Sequence, residues 1–71
     1  MTMLLNPLLE GLEVARRAAA DAIRANDEVT VDDEGDHWDF EFIPRGDMLG
    51  GGARVSIAKS DFRVLRVVRG Q

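Results

Sequence analysis

Seventy-one residues set a limit of one domain, and the absence of cysteine excludes disulfides, thiolate metal sites and a thiol nucleophile. The net charge of −4 is unevenly spread: residues 1–43 carry 3 Arg against 11 Asp and Glu, whereas residues 44–71 carry 5 Arg and 1 Lys against Asp47 and Asp61. Dispersed cations without an exposed aromatic platform weigh against nucleic acid as a partner, including through Arg54, Arg63, Arg66 and Arg69; acidic and basic strands lying side by side account for the asymmetry.

A core of this size rarely supplies more than about 3–5 kcal/mol, so burial borrowed from a second copy or from another protein is expected. The N-terminal MTMLL has no basic residue, and no apolar run approaches a signal-peptide core or a membrane span. The expected location is therefore cytoplasmic, with no membrane partner.

In chain order, the first predicted element is a helix over residues 7–25. Asn6 can cap it, Pro7 fits its first turn, and Leu8, Leu12, Ala15, Ala19 and Ile23 recur at helical spacing with Glu10, Glu13, Arg17, Asp21 and Arg24 opposite. Its alanines allow close approach to whatever it covers. Arg16, at the edge of the apolar stripe, is expected to lay its stem on the core with its head in water.

After Asn26 the period drops to two. Strands are predicted over 28–33, 37–43, 53–59 and 62–69, antiparallel and covered on one face by the helix, giving a single α+β domain. Val29 and Val31 mark one side of the first strand. Trp38, Phe40 and Phe42 alternate with His37, Asp39 and Glu41 in the second, and Val55 and Ile57 mark the third. The fourth is apolar on both sides: strict alternation puts Phe62, Val64, Arg66 and Val68 on one face, and Leu65 and Val67 with Arg63 and Arg69 on the other. One helix covers one sheet face. Leu65 and Val67, with Ile43, are therefore expected to form a second interface, most simply a homodimer packed sheet to sheet.

The stretch VDDEGDHWDFEF crowds five carboxylates, Gly35 and the only histidine into its first nine positions. A helix–loop–helix calcium site is excluded because Gly35 falls in the wrong register and no helix follows. Asp36, His37 and Asp39 could hold a divalent ion only weakly, since neighbouring strand residues point to opposite faces. Asp and Gly are what hairpin turns select, so the stretch is read as a turn. His37 has no cysteine partner, and Ser56 and Ser60 lie outside any strand-to-helix elbow. Asp39 and Glu41 are expected to pair with Arg54 on the next strand rather than to do acid/base work. Gly50 to Gly52 run into a strand, not a helix, so a phosphate cradle is replaced by a backbone bend or bulge. No cofactor, metal or catalytic residue is assigned, and the chain is read as non-enzymatic.

HWDFEFIP followed by LGGGARVSIAKSDFRVLRVVRGQ resembles the C-terminal half of small bacterial proteins with a cystatin-like or NTF2-like fold, in particular the NTF2-fold immunity proteins. The matching positions are Trp38, Gly51 and Gly52, Val55 and Ile57, then Val64 to Val68, and a turn usually written Asp-Gly reads Asp61-Phe62. The resemblance covers residues 37–71. It implies a protein-binding module that neutralises a toxin or effector by occlusion. The residues expected to meet the partner are Asp36, Asp39, Glu41, Ile43, Arg54, Leu65 and Val67; a homodimeric scaffold domain is the alternative, with small-ligand and nucleic-acid binding behind it.

Overall fold

The computed structural model describes residues 7–24, 27–45 and 52–69. Helix α1 (Pro7–Ala18) is followed by strands β1 (Glu28–Asp33), β2 (His37–Ile43), β3 (Ala53–Ala58) and β4 (Val64–Arg69). The strands form one antiparallel sheet in the order β1-β2-β3-β4. Helix α1 packs against β2, β3 and β4, which makes the domain α+β with an open sheet.

The core forms where the two periods meet. Trp38, Phe40 and Phe42 stand opposite Ile57, Val55 and Ala53 in the β2–β3 register, and all six are buried. Ala15 and Ala19 of the helix segment are fully buried against them. Small side chains at these two positions bring the backbone close to the aromatic row, so the core is thin and closely packed. Arg16 keeps its head at the edge, with its guanidinium carbon 5.8 Å from the centre of the Phe42 ring.

The helix ends at Ala18, well before residue 25. Its continuation tightens into turns, with Ala22 N–H donating to the Ala19 carbonyl at 2.9 Å and Arg24 N–H to the Asp27 carboxylate at 3.0 Å. The Ala22 carbonyl accepts the Gly52 N–H at 3.0 Å, so the loose end is tied to the entry of β3. Ile23 still packs on the core after the helix has ended. Asn6, Asn26, Gly50 and Gly51, which carried the cap and part of the glycine bend, lie outside the described residues.

Strand β3 ends at Ala58 and β4 begins at Val64, shortening both against the expected 53–59 and 62–69. The connection closes through Ala58 N–H to the Arg63 carbonyl and Phe62 N–H to the Ala58 carbonyl, each 2.9 Å. Phe62 has φ of 59°, the left-handed conformation that costs a residue with a Cβ about 1–2 kcal/mol. It is held there by packing: its ring stacks on Trp38 at 6.2 Å between centroids, and Lys59 Nζ sits 5.6 Å from the same indole. Phe62 thus takes a backbone shape that glycine takes freely.

Two opposing effects therefore act at one residue. Phe62→Gly relieves the backbone but removes a half-buried ring and a stack of about 0.5–1.5 kcal/mol, for an expected net loss of about 1 kcal/mol. Phe62→Ala loses the ring and keeps the strain, so it falls about 1 kcal/mol further. Urea denaturation of the two variants isolates the backbone contribution. An alanine variant at least as stable as the glycine one refutes the strain.

Candidate protein-binding face

Because side chains alternate, the residues between the core positions form the uncovered side of the sheet. Asp39, Glu41 and Ile43 of β2 lie there with Arg54 and Ser56 of β3, and β1 adds Glu28, Thr30 and Asp32 through its register with β2. Their polar groups are engaged across the strands. Ser56 Oγ donates to Asp39 Oδ1, and an Arg54 guanidinium nitrogen lies 3.3 Å from Glu41 Oε1. Glu41 thus pairs with Arg54 as expected, whereas Asp39 is held by Ser56.

Strand β4 departs from strict alternation. Ser56 faces Arg66 but Ile57 faces Val64, which leaves Leu65 as an extra residue in a bulge. Counted from the C-terminal side of the bulge, Val67 falls opposite Val55 and packs on the core. Val67 is therefore removed from the partner-binding set. The same bulge turns Arg66 and Val68 onto the open face, opposite Ser56 and Arg54. Leu65 stays there, lining a shallow hollow with His37, Asp39, Ser56 and Arg66. A second hollow includes Ile43, Arg54, Arg66 and Val68, so Arg66 borders both.

Three aliphatic side chains of this face are exposed. Leu65 is 51% exposed, Val68 47% and Ile43 36%. Among the described residues Arg66 has no ion-pair partner, and neither does Asp32 on the opposite edge strand. A guanidinium among aliphatic side chains is favoured at the centre of protein interfaces, because it adds directional hydrogen bonds to apolar contact. Sequence reasoning missed Arg66 and Val68 because nothing in VLRVVR marks a bulge.

The acidic stretch is a turn. Gly35 has φ of 94° and donates its N–H to Asp33 Oδ1 at 2.9 Å, while Glu34 N–H reaches the His37 carbonyl at 2.9 Å. Asp33 Oδ1 also takes Lys59 Nζ at 2.7 Å, which ties this turn to the β3–β4 connection. That hydrogen bond, followed by the one from Gly35, holds the Asp33 carboxyl below its ordinary range. Asp21 is lowered in the same way by the Arg69 guanidinium.

Asp39 approaches His37 from the same face, as alternation places it, and Asp36 approaches it too, contrary to the expectation for adjacent residues. Asp36 sits in the turn, where the two-residue period no longer applies, and its Oδ1 lies 2.7 Å from His37 Nδ1; Asp39 Oδ1 is 3.7 Å from Nε2. No group of three or more metal-ligating side chains is arranged around an ion site among the described residues.

The Asp36 hydrogen bond, together with the Asp36 and Asp39 charges, raises the His37 pKa above its ordinary 6.5; the same hydrogen bond lowers that of Asp36 below 3.8. A raised histidine contributes stability fully below the unfolded pKa and loses it as pH rises through the folded one. A lowered aspartate contributes above its unfolded pKa and loses it as pH falls through its folded value. The pair is therefore an interaction of the mildly acidic range, fading at both ends. Asp36→Asn is expected to bring the His37 titration, followed by NMR of the ring protons, back down toward 6.5. An unchanged midpoint refutes Asp36 as the cause.

No helix among the described residues is long and apolar enough to cross a membrane. Comparison with protein-family models, with curated proteins and with solved structures gives no match.

Proposed function

We propose that the chain is a non-enzymatic protein-binding module that acts by occlusion, covering another protein with the open face of its sheet. One observation supports this reading above the others: Ile43, Leu65 and Val68 are exposed on the open sheet face, with an Arg66 that has no ion pair among the described residues. Asp39 and Glu41, the carboxylates nearest to a catalytic pair, are engaged by Ser56 and Arg54 within the sheet. The resemblance of residues 37–71 to NTF2-fold immunity proteins makes a bacterial toxin or effector the partner class. A rigid sheet needs no conformational change to block such a protein, and the mixed charges of the face supply register and selectivity.

The test is protection. The chain is co-expressed with a toxin encoded beside its gene, and growth is measured. Wild type is expected to restore growth, whereas Leu65→Asp and Arg66→Glu lose protection while remaining folded. Leu9→Asp, at a helix position 58% exposed, is expected to protect like wild type. Failure of wild type to protect, or full protection by both open-face variants, overturns the reading.

A further inference from the structure

The charges on the open face are ordered. Across the sheet from β1 to β4, one row reads Asp32, Asp39, Ser56, Arg66, and the next reads Thr30, Glu41, Arg54, Val68. Each row is acidic toward β1 and basic or apolar toward β4. Asp32 and Asp39 stand directly opposite each other, a like-charge pair that is unfavourable unless a cation approaches. Ser56 and, at 3.7 Å, His37 Nε2 meet only the Asp39 side of this pair and leave Asp32 without a cation among the described residues.

From this we infer that, in the absence of another protein, the open face is covered by a second copy of the chain, packed sheet to sheet about a two-fold axis parallel to the strands. The inference rests on the reading of this face as the protein-binding surface and names one occupant. A rotation about that axis exchanges the two edges of the sheet without moving the rows along it. It sets the partner copy's β1 over β4, so that each Asp32 faces the other copy's Arg66, each Glu41 faces Arg54, and Asp39 faces Ser56. Every contact occurs twice, as a two-fold interface requires. The other in-plane axis, perpendicular to the strands, sets each strand over its own counterpart and brings like charges together, Arg66 on Arg66 when it passes through the first row and Asp39 on Glu41 when it passes between the rows, so the charges choose between the two. Aligned sheets cross at about 30°, which keeps these central rows superposed while the corners diverge.

The contact is small. Four strands about 4.8 Å apart and about six residues long at 3.4 Å give a footprint of roughly 400 Å² per copy, below the roughly 800 Å² of a standard interface. The dimer is therefore weak and concentration-dependent, and a partner protein with a larger footprint displaces it.

The experiment is sedimentation equilibrium of the full chain from micromolar to millimolar concentration, on wild type, Arg66→Glu, Asp32→Lys and a one-to-one mixture of the two variants. Both substitutions are at exposed strand positions, and circular dichroism confirms that the fold is kept. Wild type is expected to dimerise, and each variant alone to dimerise at least about tenfold more weakly, because both of its altered contacts become repulsive. The mixture restores wild-type affinity to within about threefold, since one contact is charge-reversed and the other is native. A wild type that stays monomeric to millimolar concentration overturns the inference, as does a dimer indifferent to both variants. In either case, loss of toxin protection in Arg66→Glu leaves the protein-binding reading standing. Loss of that reading shows instead as protection that ignores the open face.

Discussion

Gly52→Ala is expected to cost about 3–4 kcal/mol and to leave the protein largely unfolded at 37 °C. Gly52 has φ of 81°, where an L side chain costs about 1–2 kcal/mol before any contact is considered. The added Cβ then runs into the Phe42 carbonyl oxygen and approaches Pro44 Cδ to 3.0 Å. Neither neighbour can withdraw easily. Phe42 is 2% exposed and held in register between Val29 and Ala53, and the pyrrolidine ring of Pro44 is rigid. Moving Gly52 instead breaks its hydrogen bond to the Ala22 carbonyl, the tie between the helix tail and β3.

Forced overpacking of this kind costs about 1–3 kcal/mol. Against a total of about 3–5 kcal/mol for a core this small, the sum is most of the stability. A thermal melt followed by far-UV circular dichroism decides the matter. In a domain of this size 1 kcal/mol moves the midpoint by about 4–8 °C, so a midpoint within about 5 °C of wild type rejects the account.

The parts of this structure that were legible in the sequence are those where one strong period acts alone. HWDFEF alternates without exception, and β2 is buried and intermediate by turns up to Ile43, where the last residue is exposed. The acidic run read as a turn because Gly35 supplied the positive φ and the neighbouring aspartates supplied side-chain acceptors. The helix was legible as far as its apolar stripe. Its end at Ala18 was not, because alanine is a good helix former and the competitor is a hydrogen bond to Gly52, thirty residues away in sequence.

The open face shows the same division. Asp39, Glu41, Ile43 and Arg54 could be placed from the period of two alone. Arg66, Val67 and Val68 could not, because VLRVVR is apolar on both sides and no residue in it announces the extra position at Leu65. A one-residue slip exchanges the faces of everything beyond it. That slip carried Val67 into the core and brought Arg66 onto the open face. Phe62 was hidden for a related reason: its φ is set by the tertiary stack on Trp38, not by local propensity.

Gly11 presents the opposite case, where a glycine in mid-helix looks like a fault that alanine should repair. Alanine gains about 1 kcal/mol in helix propensity at such a position. Here, however, a Cβ would stand 2.8 Å from Trp38 Cζ3, 2.9 Å from Cε3 and 3.4 Å from Phe40 Cζ. The indole cannot retreat, since it is stacked on Phe62 and covered by Lys59. Nor can the helix lift, because Ala15 and Ala19 are fully buried one and two turns further on. Overpacking outweighs propensity, so Gly11→Ala is expected to lose about 1 kcal/mol. Gly11→Val, which brings two more methyl groups and little helical gain, is expected to lose about 3 kcal/mol or more.

The cause is separable from any general intolerance of the site. Trp38→Leu removes the ring atoms that the Cβ meets. In that background, kept folded with an added osmolyte, Gly11→Ala should turn from destabilising to stabilising, because the propensity gain survives and the clash does not. Urea denaturation of the four proteins of this cycle gives the coupling directly. If alanine at position 11 costs the same with and without the indole, the close approach of helix to Trp38 is not what glycine is there to permit.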